Sequence, residues 1–302
     1  MRATIPIEVT DSMIVSSTIS EPFIDEPEYS STTSYSIDAK VTVVHDVYVS
    51  LENSNIGNDP LTSVKWKRIY KSNKFRMFDF NDGTPSSVSE SSMTVVIKPG
   101  QRIDSIILSG LKADRAEIIV KKADTNEVVY ELDVTLRKRN VTTWWEYLFS
   151  SFEQQRVLAT YQIPPIINSV IQLTLYSNSS SIEIERFGFG LSFYLGTVLD
   201  VSPIVDTENF SVIERDSFGR ATLTPRPSIP TAKVKIATKA NRLNAVLAFK
   251  KNASAKIVAW SGLDDIVHNY SEPLAFFGVY QEFTTDLSDQ GFAQIDLFLE
   301  GV

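Results

Sequence analysis

Two histidines, His45 and His268, are the side chains best suited to acid–base chemistry near neutral pH. They lie in different predicted domains, and neither is accompanied by the Gly-x-Ser-x-Gly sequence of a nucleophile elbow. His45 follows two valines, which favours an ordinary strand position, and we expect His268 in a loop or at a strand edge. The sequence therefore argues against a Ser–His–Asp hydrolase.

The usual sequences of metal, dinucleotide and phosphate sites are missing: there is no His-Glu-x-x-His, Gly-x-Gly-x-x-Gly or Gly-x-x-x-x-Gly-Lys-Ser/Thr segment. Gly188-Phe189-Gly190 lacks the third glycine of a dinucleotide fingerprint, and close packing between strands explains it better. The chain has no cysteine, which excludes disulfides and thiolate chemistry. Its 37 acidic residues leave a glycosidase carboxylate pair open, but no local pattern selects one. We predict no enzymatic activity, no catalytic residue and no cofactor.

The segment Asp79-Phe80-Asn81-Asp82-Gly83-Thr84 has alternating oxygen-bearing side chains, as a calcium loop does, and Glu90 lies eleven positions after Asp79. The glycine, however, comes one position too early for an EF-hand. A turn built on residues that tolerate positive φ is the simpler interpretation. We therefore predict no metal site here.

A cluster of aromatic residues forms the candidate interaction surface: Trp144, Trp145, Tyr147 and Phe149, with Trp66 and Phe152 as further candidates. Thr143 and Glu146 stand in the positions of a capping box, which predicts a short helix over 143–149. The aromatic side chains could stack on sugar rings. Alternatively, and in our view more simply, the helix is an amphipathic plug that seals one sandwich against the next domain.

Composition limits the class of protein that must position these residues. A chain of 302 residues with 43% hydrophobic and 22% charged content is typical of a folded globular protein. The net charge of −8 argues against a protein that grips nucleic acid, because phosphate binding needs clustered Lys and Arg. No apolar run is long enough for a signal peptide or a membrane span, so we predict no membrane partner.

The pattern along the chain predicts a mainly β protein with three parts. Residues 1–36, rich in Ser, Thr and acidic residues, are expected to form an extended arm. Residues 37–200 alternate between apolar and polar, with the clearest strands at 93–97, 103–108, 117–120 and 128–136, which predicts antiparallel β-sandwich or jelly-roll domains. This region is expected as one unit or as two subdomains that divide near 85–92.

Residues 205–302 are predicted as a smaller α+β domain. A helix is expected over 239–250, between strands at 233–237 and 257–260. The proline-rich segment 224–230 is interpreted as a linker within this part of the chain.

Several short segments together resemble a family of virion structural proteins from tailed bacteriophages. They are, in chain order, Asn73-Lys74-Phe75-Arg76-Met77-Phe78-Asp79, Ile97-Lys98-Pro99-Gly100, Ile103-Asp104, Thr143-Trp144-Trp145-Glu146-Tyr147-Leu148-Phe149, Ile163-Pro164-Pro165, Gly188-Phe189-Gly190, Leu195-Gly196-Thr197, Arg215-Asp216-Ser217-Phe218-Gly219, Pro225-Arg226, Phe277-Gly278-Val279-Tyr280 and Glu300-Gly301. No single segment is specific, but their order and spacing cover nearly the whole chain after residue 35. The resemblance implies a non-catalytic subunit of the neck, at the head-to-tail connection, or of the tail.

From this resemblance we expect a virion protein, assembled in the host cytoplasm, that forms a homo-oligomeric ring and contacts other neck or tail proteins. If the ring surrounds genomic DNA, the acidic charge predicts passive contact, because an acidic wall repels phosphate. Two alternatives come from other classes: a carbohydrate- or receptor-binding β-sandwich module that uses the aromatic cluster, and a polysaccharide-degrading enzyme.

Overall fold

A computed structural model describes residues 1–138, 141–150, 152–179, 181–199, 203–215, 217–226, 228–262, 272–287 and 291–302. Strands make up 49% of the chain and helices 10%, and all pairings between strands in the described ranges are antiparallel. The prediction of a mainly β, antiparallel fold is confirmed.

The first part of the described chain contains the strands β1 (Arg2–Thr4), β2 (Ile14–Ser17), β3 (Lys40–Val43), β4 (Asp46–Ser50) and β5 (Trp66–Lys71). The middle part contains β6 (Ser86–Val88), β7 (Ser92–Ile97), β8 (Ser105–Ser109), β9 (Arg115–Lys122), β10 (Val128–Thr135), β11 (Arg137–Lys138), α1 (Trp144–Phe149), β12 (Glu153–Gln154), β13 (Leu158–Thr160), β14 (Ser169–Tyr176), β15 (Ile182–Ile184) and β16 (Arg186–Gly190). The last part contains β17 (Ser192–Tyr194), β18 (Thr197–Val198), β19 (Ile204–Asn209), β20 (Val212–Arg215), β21 (Ala221–Thr224), β22 (Ser228–Lys239), α2 (Leu243–Ala253), β23 (Val258–Ser261), β24 (Ala275–Asp286) and β25 (Phe292–Gly301). Single 3-10 turns lie at Asp11–Met13, Arg76–Phe78, Ala240–Arg242 and Glu272–Leu274.

A β-sandwich forms the centre of the molecule. A five-stranded sheet, in the order β10-β9-β14-β7-β2, packs against a three-stranded sheet in the order β13-β8-β16. Alternate residues of β7, β9 and β14 point inward and meet the apolar side chains of β8 and β16 in one core. Each large apolar side chain that is fully buried in this way contributes roughly 1.5–3 kcal/mol.

The three-stranded sheet is buried on both faces, because a second, eight-stranded sheet covers its outer side. Ile106 and Leu108 of β8 face the sandwich core, whereas Ile107 packs against Ala259 and Phe277 of the eight-stranded sheet. This explains why β8 is a continuous apolar run instead of an alternating one.

Close packing accounts for the two glycines of β16. A Cβ at Gly188 would lie 2.7 Å from Cε1 of Phe277, and a Cβ at Gly190 would lie 2.8 Å from the backbone oxygen of Ile5. The interpretation of Gly188-Phe189-Gly190 as a site of close strand packing is confirmed.

The eight-stranded sheet has the order β17-β1-β23-β24-β25-β22-β18, and β19 also pairs with β22. Helix α2 covers its far side, where Val246 and Phe249 pack with Trp260 in a second core. The predicted helix over 239–250 and its flanking strands are therefore present, with the regular α-helix beginning at Leu243 and ending at Ala253.

A further sheet, which we call the small sheet, has the order β3-β4-β5. Its core is aromatic: Tyr35, Trp66 and Tyr29 pack together around Val41, with ring centroids 5.2–5.9 Å apart. This sheet is separate from the sandwich. Apart from the edge strand β2, the strands of the five-stranded sheet begin at Ser92, with β7.

Residues 1–36 do not form a detached arm, which corrects the expectation from composition. Strand β1 lies inside the eight-stranded sheet, between β17 and β23, and Ala3 is fully buried. Strand β2 extends the sandwich beside β7, Glu28 bridges to Thr42 of the small sheet, and Tyr35 bridges to Asn55 in the connection between β4 and β5. Backbone hydrogen bonds to distant strands thus order a segment whose own composition suggested none.

The boundaries between units also differ from the expected ones. β17 and β18, within the predicted 37–200 region, belong to the eight-stranded sheet. By contrast, the small sheet ends with β5 at Lys71 and the strands β6 and β7 begin at Ser86 and Ser92, so the chain passes from one sheet to the next close to the division expected near 85–92. The predicted linker at 224–230 is mostly strand, since β21 ends at Thr224 and β22 begins at Ser228.

Candidate interaction site

The aromatic cluster lies at the end of a narrow extension of the sandwich. After β10 the chain leaves the core at Leu136, and it returns at Gln155, whose N–H donates to the Leu136 carbonyl at 2.7 Å. Between them, β11 and β12 form a two-residue ladder that supports α1. We call α1, Trp144–Phe149, the aromatic helix.

A capping box starts this helix, as predicted. The Thr143 hydroxyl accepts a hydrogen bond from the Glu146 N–H at 3.2 Å, and Glu146 Oε2 accepts from the Thr143 N–H at 3.0 Å. The Thr142 hydroxyl and N–H also donate to this oxygen, each at 2.7 Å. These donors, the Thr142 hydroxyl foremost and then the backbone N–H groups of Thr142 and Thr143, hold the pKa of the Glu146 carboxyl below its usual value.

The aromatic helix exposes its large side chains to solvent. The exposed fractions are 82% for Trp144, 71% for Trp145, 53% for Tyr147 and 64% for Phe149, and no residue of the helix is buried. The rings contact one another: Trp145 and Phe149 have centroids 4.2 Å apart, and Trp144 meets Tyr147 edge to face at 5.8 Å. The interpretation of this helix as a plug between two domains of the chain is wrong, because its large side chains remain mostly exposed in the described part of the structure.

We call the β11–β12 ladder the stalk of the aromatic helix. Next to it lies a small cleft of about 330 Å³. Phe152 lines it together with polar side chains, including Arg137, Asp114 and Gln154. Arg137 Nε lies 2.5 Å from Asp114 Oδ1, and Gln154 Nε2 donates to the Ala113 carbonyl at 3.0 Å. These polar groups are largely used in holding the stalk on the sandwich.

His45 occupies a turn and not a strand, which corrects the expectation for this residue. It forms, with Val44, the two-residue connection between β3 and β4, and their φ angles are +99° and +54°. Its Nδ1 lies 2.9 Å from Glu21 Oε1, and its ring centroid is 4.1 Å from that of Phe75. His268, the other histidine considered, lies outside the described residues.

His45 borders a cleft of about 980 Å³ between the small sheet, the N-terminal segment and the eight-stranded sheet. Charged groups around it pair with one another. Lys74 Nζ lies 3.2 Å from Asp11 Oδ1, and Arg68 Nε lies 2.8 Å from Asp46 Oδ1. The Lys74–Asp11 pair joins the turn after the small sheet to the N-terminal segment, and the Arg68–Asp46 pair links β5 to β4 within that sheet; we assign both a structural role.

The acidic loop considered as a calcium site is a turn in the structure. Asp79 Oδ1 accepts the Asn81 N–H at 3.2 Å, and Asp82 Oδ1 accepts the Thr84 N–H at 3.0 Å. Burial lowers the pKa of the Arg186 guanidinium, and the negative charges of Glu185, Asp82 and Asp79, in that order, oppose this effect. In the described ranges, no three His, Cys, Asp or Glu side chains come together as a metal site would need.

One exposed element was not predicted from the sequence. Strands β19, β20 and β21 have no buried residue, and they form a long two-stranded ladder with the first half of β22. The signal was available in the alternating residues on both sides of the Ser217–Gly219 turn.

No protein-family model matches the sequence, and no curated protein matches it significantly. Within the part of the chain that the structure describes, no helix is long and apolar enough to cross a lipid bilayer.

Proposed function

We propose that this chain is a structural subunit of a tailed-phage particle, located in the neck or tail, that assembles with further copies into a ring. The observation that carries an assembly role is the aromatic helix, which presents two tryptophans, a tyrosine and a phenylalanine to solvent. Exposed apolar patches of this kind mark surfaces that another molecule covers.

The free energy that burial of these aromatic side chains would supply supports a protein partner. Association of two proteins costs an estimated 4–15 kcal/mol in lost freedom of motion. Full burial of one large apolar side chain returns roughly 1.5–3 kcal/mol, so a single exposed residue cannot drive assembly. Four aromatic side chains on one capped helix can supply a comparable amount, and aromatic residues are the usual anchors of interfaces.

The layered scaffold is compatible with this role. The sandwich and the eight-stranded sheet share a buried contact at Ile107, Ala259 and Phe277, so surfaces on both units are held by one rigid body. A ring needs such rigidity. Head-to-tail contacts close into a ring only if each subunit is rotated by the same angle relative to the one before it. The placement in a phage particle rests on the ordered resemblance described above.

We further propose that DNA, if it passes through the ring, makes only passive contact with an acidic wall. The net charge of −8 supports this, because acidic groups repel phosphate. A wall lined mainly by Lys and Arg in the assembled ring would contradict the proposal.

A second candidate function is binding of a glycan on a host surface. The specific observation is the exposure of the Trp144 and Trp145 rings beside a polar cleft that contains Phe152. A glycan array probed with the full chain tests this candidate. Binding that Trp144→Ala and Trp145→Ala abolish, in chains that remain folded and monomeric, would favour it over assembly.

The assembly proposal is tested by native mass spectrometry and by the protein content of purified particles. We expect closed homo-oligomers, and stoichiometric amounts of the chain in particles of the phage that encodes it. The double variant Trp145→Ala/Phe149→Ala is expected to abolish incorporation without unfolding, since neither side chain is buried. Phe292→Ala, at another aromatic residue that is 52% exposed, is the matched control and should assemble normally. A chain that stays monomeric and is missing from particles would overturn the proposal.

A further inference from the structure

We propose that residues 1–9, which we call the exchange segment, are passed between copies in the assembled protein, so that β1 of each copy lies in the eight-stranded sheet of the next. The inference rests on the proposed ring, but it concerns a contact other than the aromatic helix. The observation that carries it is the position of β1 as a strand inserted between β17 and β23. We call the place between these two strands the slot.

The slot is specific for a strand of this sequence. Each residue of β1, Arg2–Thr4, has a cross-strand partner on both sides. Ala3 and Thr4 are fully buried, and the Thr4 hydroxyl is hydrogen-bonded to that of Ser105 at 3.0 Å. Farther along the segment, the Ile7 N–H donates to the Phe189 carbonyl at 3.0 Å. An empty slot would leave the facing backbone groups of β17 and β23 unpaired, which is costly, so the slot requires a strand.

A second copy of the chain supplies a strand that fits, because it carries the identical nine residues. Every contact of the exchange segment is reproduced when the segment comes from a neighbour, and only its connection to the rest of the chain changes. Exchange of an identical element between protomers is a low-cost route to assembly for this reason. When each copy passes its segment to the next in the same direction, the contact is head-to-tail, the kind that closes into a ring.

The connection that has to change is exposed and compact. Residues 10–13 lead from the exchange segment to β2, and Thr10, Asp11 and Ser12 are exposed. They form a single 3-10 turn in which the Met13 N–H donates to the Thr10 carbonyl at 3.0 Å. Four residues span about 8 Å in 3-10 geometry and about 14 Å when extended, so opening this turn lengthens the connection toward a neighbour.

The second half of the exchange segment borders open space. Its residues Ile5, Pro6, Glu8 and Val9, together with Thr10 and Asp11 of the connection, line the cleft of about 980 Å³ beside the small sheet. Ile7 and Val9 hold the segment to the sandwich core from the other side. Because the cleft already lies along this stretch, the segment can leave its slot without displacing the small sheet.

Proximity decides whether the segment occupies its own slot or that of a neighbour. In a free monomer the tether gives its own slot an effective concentration on the order of millimolar. Copies that the aromatic helix holds together offer the neighbouring slot at a comparable effective concentration, if the opened connection reaches it. Exchange therefore follows assembly and locks it, because two copies then separate only when β1 is pulled out of a sheet.

Disulfide capture between two chains tests the exchange directly. The chain contains no cysteine, and Arg2 lies opposite Ser261. Cross-strand partners have Cα atoms about 4.5–5.5 Å apart, a separation that a disulfide bridges. Two full-length single variants, Arg2→Cys and Ser261→Cys, carry different affinity tags, are refolded together and are oxidised. We expect a disulfide-linked product that contains both tags. Thr62→Cys, in an exposed loop of the small sheet, replaces Arg2→Cys in the control and should give none.

The double variant Arg2→Cys/Ser261→Cys provides the second measurement. Exchange links successive copies into covalent multimers on a non-reducing gel, whereas a segment in its own slot gives an internal disulfide. Ser261 is buried, so if its variant fails to fold, Tyr194→Cys takes its place, since Tyr194 lies opposite Arg2 on the other side of β1 and is only half-buried. Adding Trp145→Ala/Phe149→Ala should convert the multimers to chains with an internal disulfide, because the neighbour is lost.

The outcomes separate the two proposals. A wild-type chain that is monomeric in solution and in particles overturns both. Wild-type oligomers together with a double variant that forms only internal disulfides, and with no product that carries both tags, overturn the exchange and leave the proposed function intact. Covalent multimers and a two-tag product support the exchange.

Discussion

Arg76 Nη2 donates to both carboxylate oxygens of Glu26, at 2.6 Å to each, in a pair that is almost fully buried. The Tyr70 hydroxyl donates to the same carboxylate at 2.8 Å, and Arg76 Nε donates to the Lys71 carbonyl at 3.2 Å. The pair joins the N-terminal segment to the turn after the small sheet, in addition to the backbone hydrogen bonds that residues 27–35 make there.

Arg76→Met should therefore destabilise the protein strongly, because it leaves a buried carboxylate without its charge partner. We expect a loss of about 3–5 kcal/mol in the free energy of unfolding. Urea denaturation followed by tryptophan fluorescence measures this. Adding Glu26→Gln to Arg76→Met should restore part of the loss, whereas Lys65→Met, at the exposed Lys65–Glu52 pair, should cost at most about 1 kcal/mol. Equal losses at the buried and exposed pairs would contradict this account.

Gly188→Ala should disturb the contact between the sandwich and the eight-stranded sheet. The new methyl group would meet the Phe277 ring, which stacks on Phe80 with centroids 5.2 Å apart. Overpacking of this kind costs about 1–3 kcal/mol, measured as a lower denaturation midpoint. Gly83→Ala is the control, since its Cβ would make only an ordinary contact of 3.7 Å. If both variants were equally stable, the two sheets would have to separate more easily than their packing indicates.

Val44→Asn should stabilise the protein. Val44 has φ +54° in the turn between β3 and β4, is 73% exposed, and is branched at Cβ. The left-handed conformation therefore strains its backbone, and its exposed side chain gains little packing energy to offset the strain. Asparagine adopts this conformation readily, and we expect a gain of about 1 kcal/mol, visible as a higher Tm. A lower Tm would show that the Val44 side chain makes a contact the structure does not reveal.

The capping box of the aromatic helix should make that helix sensitive to acid. The Glu146 carboxyl has a folded-state pKa below its ordinary value of 4.5, so its contribution is complete above that pH and is lost as pH falls through the lowered pKa. Carbon-13 NMR of the Glu146 carboxyl checks the pKa directly. Fluorescence of Trp144 and Trp145 should change over the same range, and Glu146→Gln should remove that change. A change that persists in Glu146→Gln would assign it to another group.

Short-range patterns allowed much of the fold to be predicted. Strands expected at 93–97 and 128–136 are present at Ser92–Ile97 and Val128–Thr135. They were predictable because a half-buried strand alternates apolar and polar residues at neighbouring positions. The start of the aromatic helix was predictable for the same reason, since Thr143 and Glu146 are three residues apart. These features depend on interactions within a few positions of the chain.

Partners that are distant in sequence decided the rest. Ala3 pairs with Phe193 and Trp260, which no local pattern could indicate, and so a segment with the composition of an arm became an inner strand. The aromatic helix has the composition of a buried plug, yet its exposure depends on where the β11–β12 stalk directs it. Which apolar residues are buried is a property of the whole packed chain. The sequence therefore determined the elements and their local caps, while tertiary structure alone decided which apolar side chains are buried and which stay exposed.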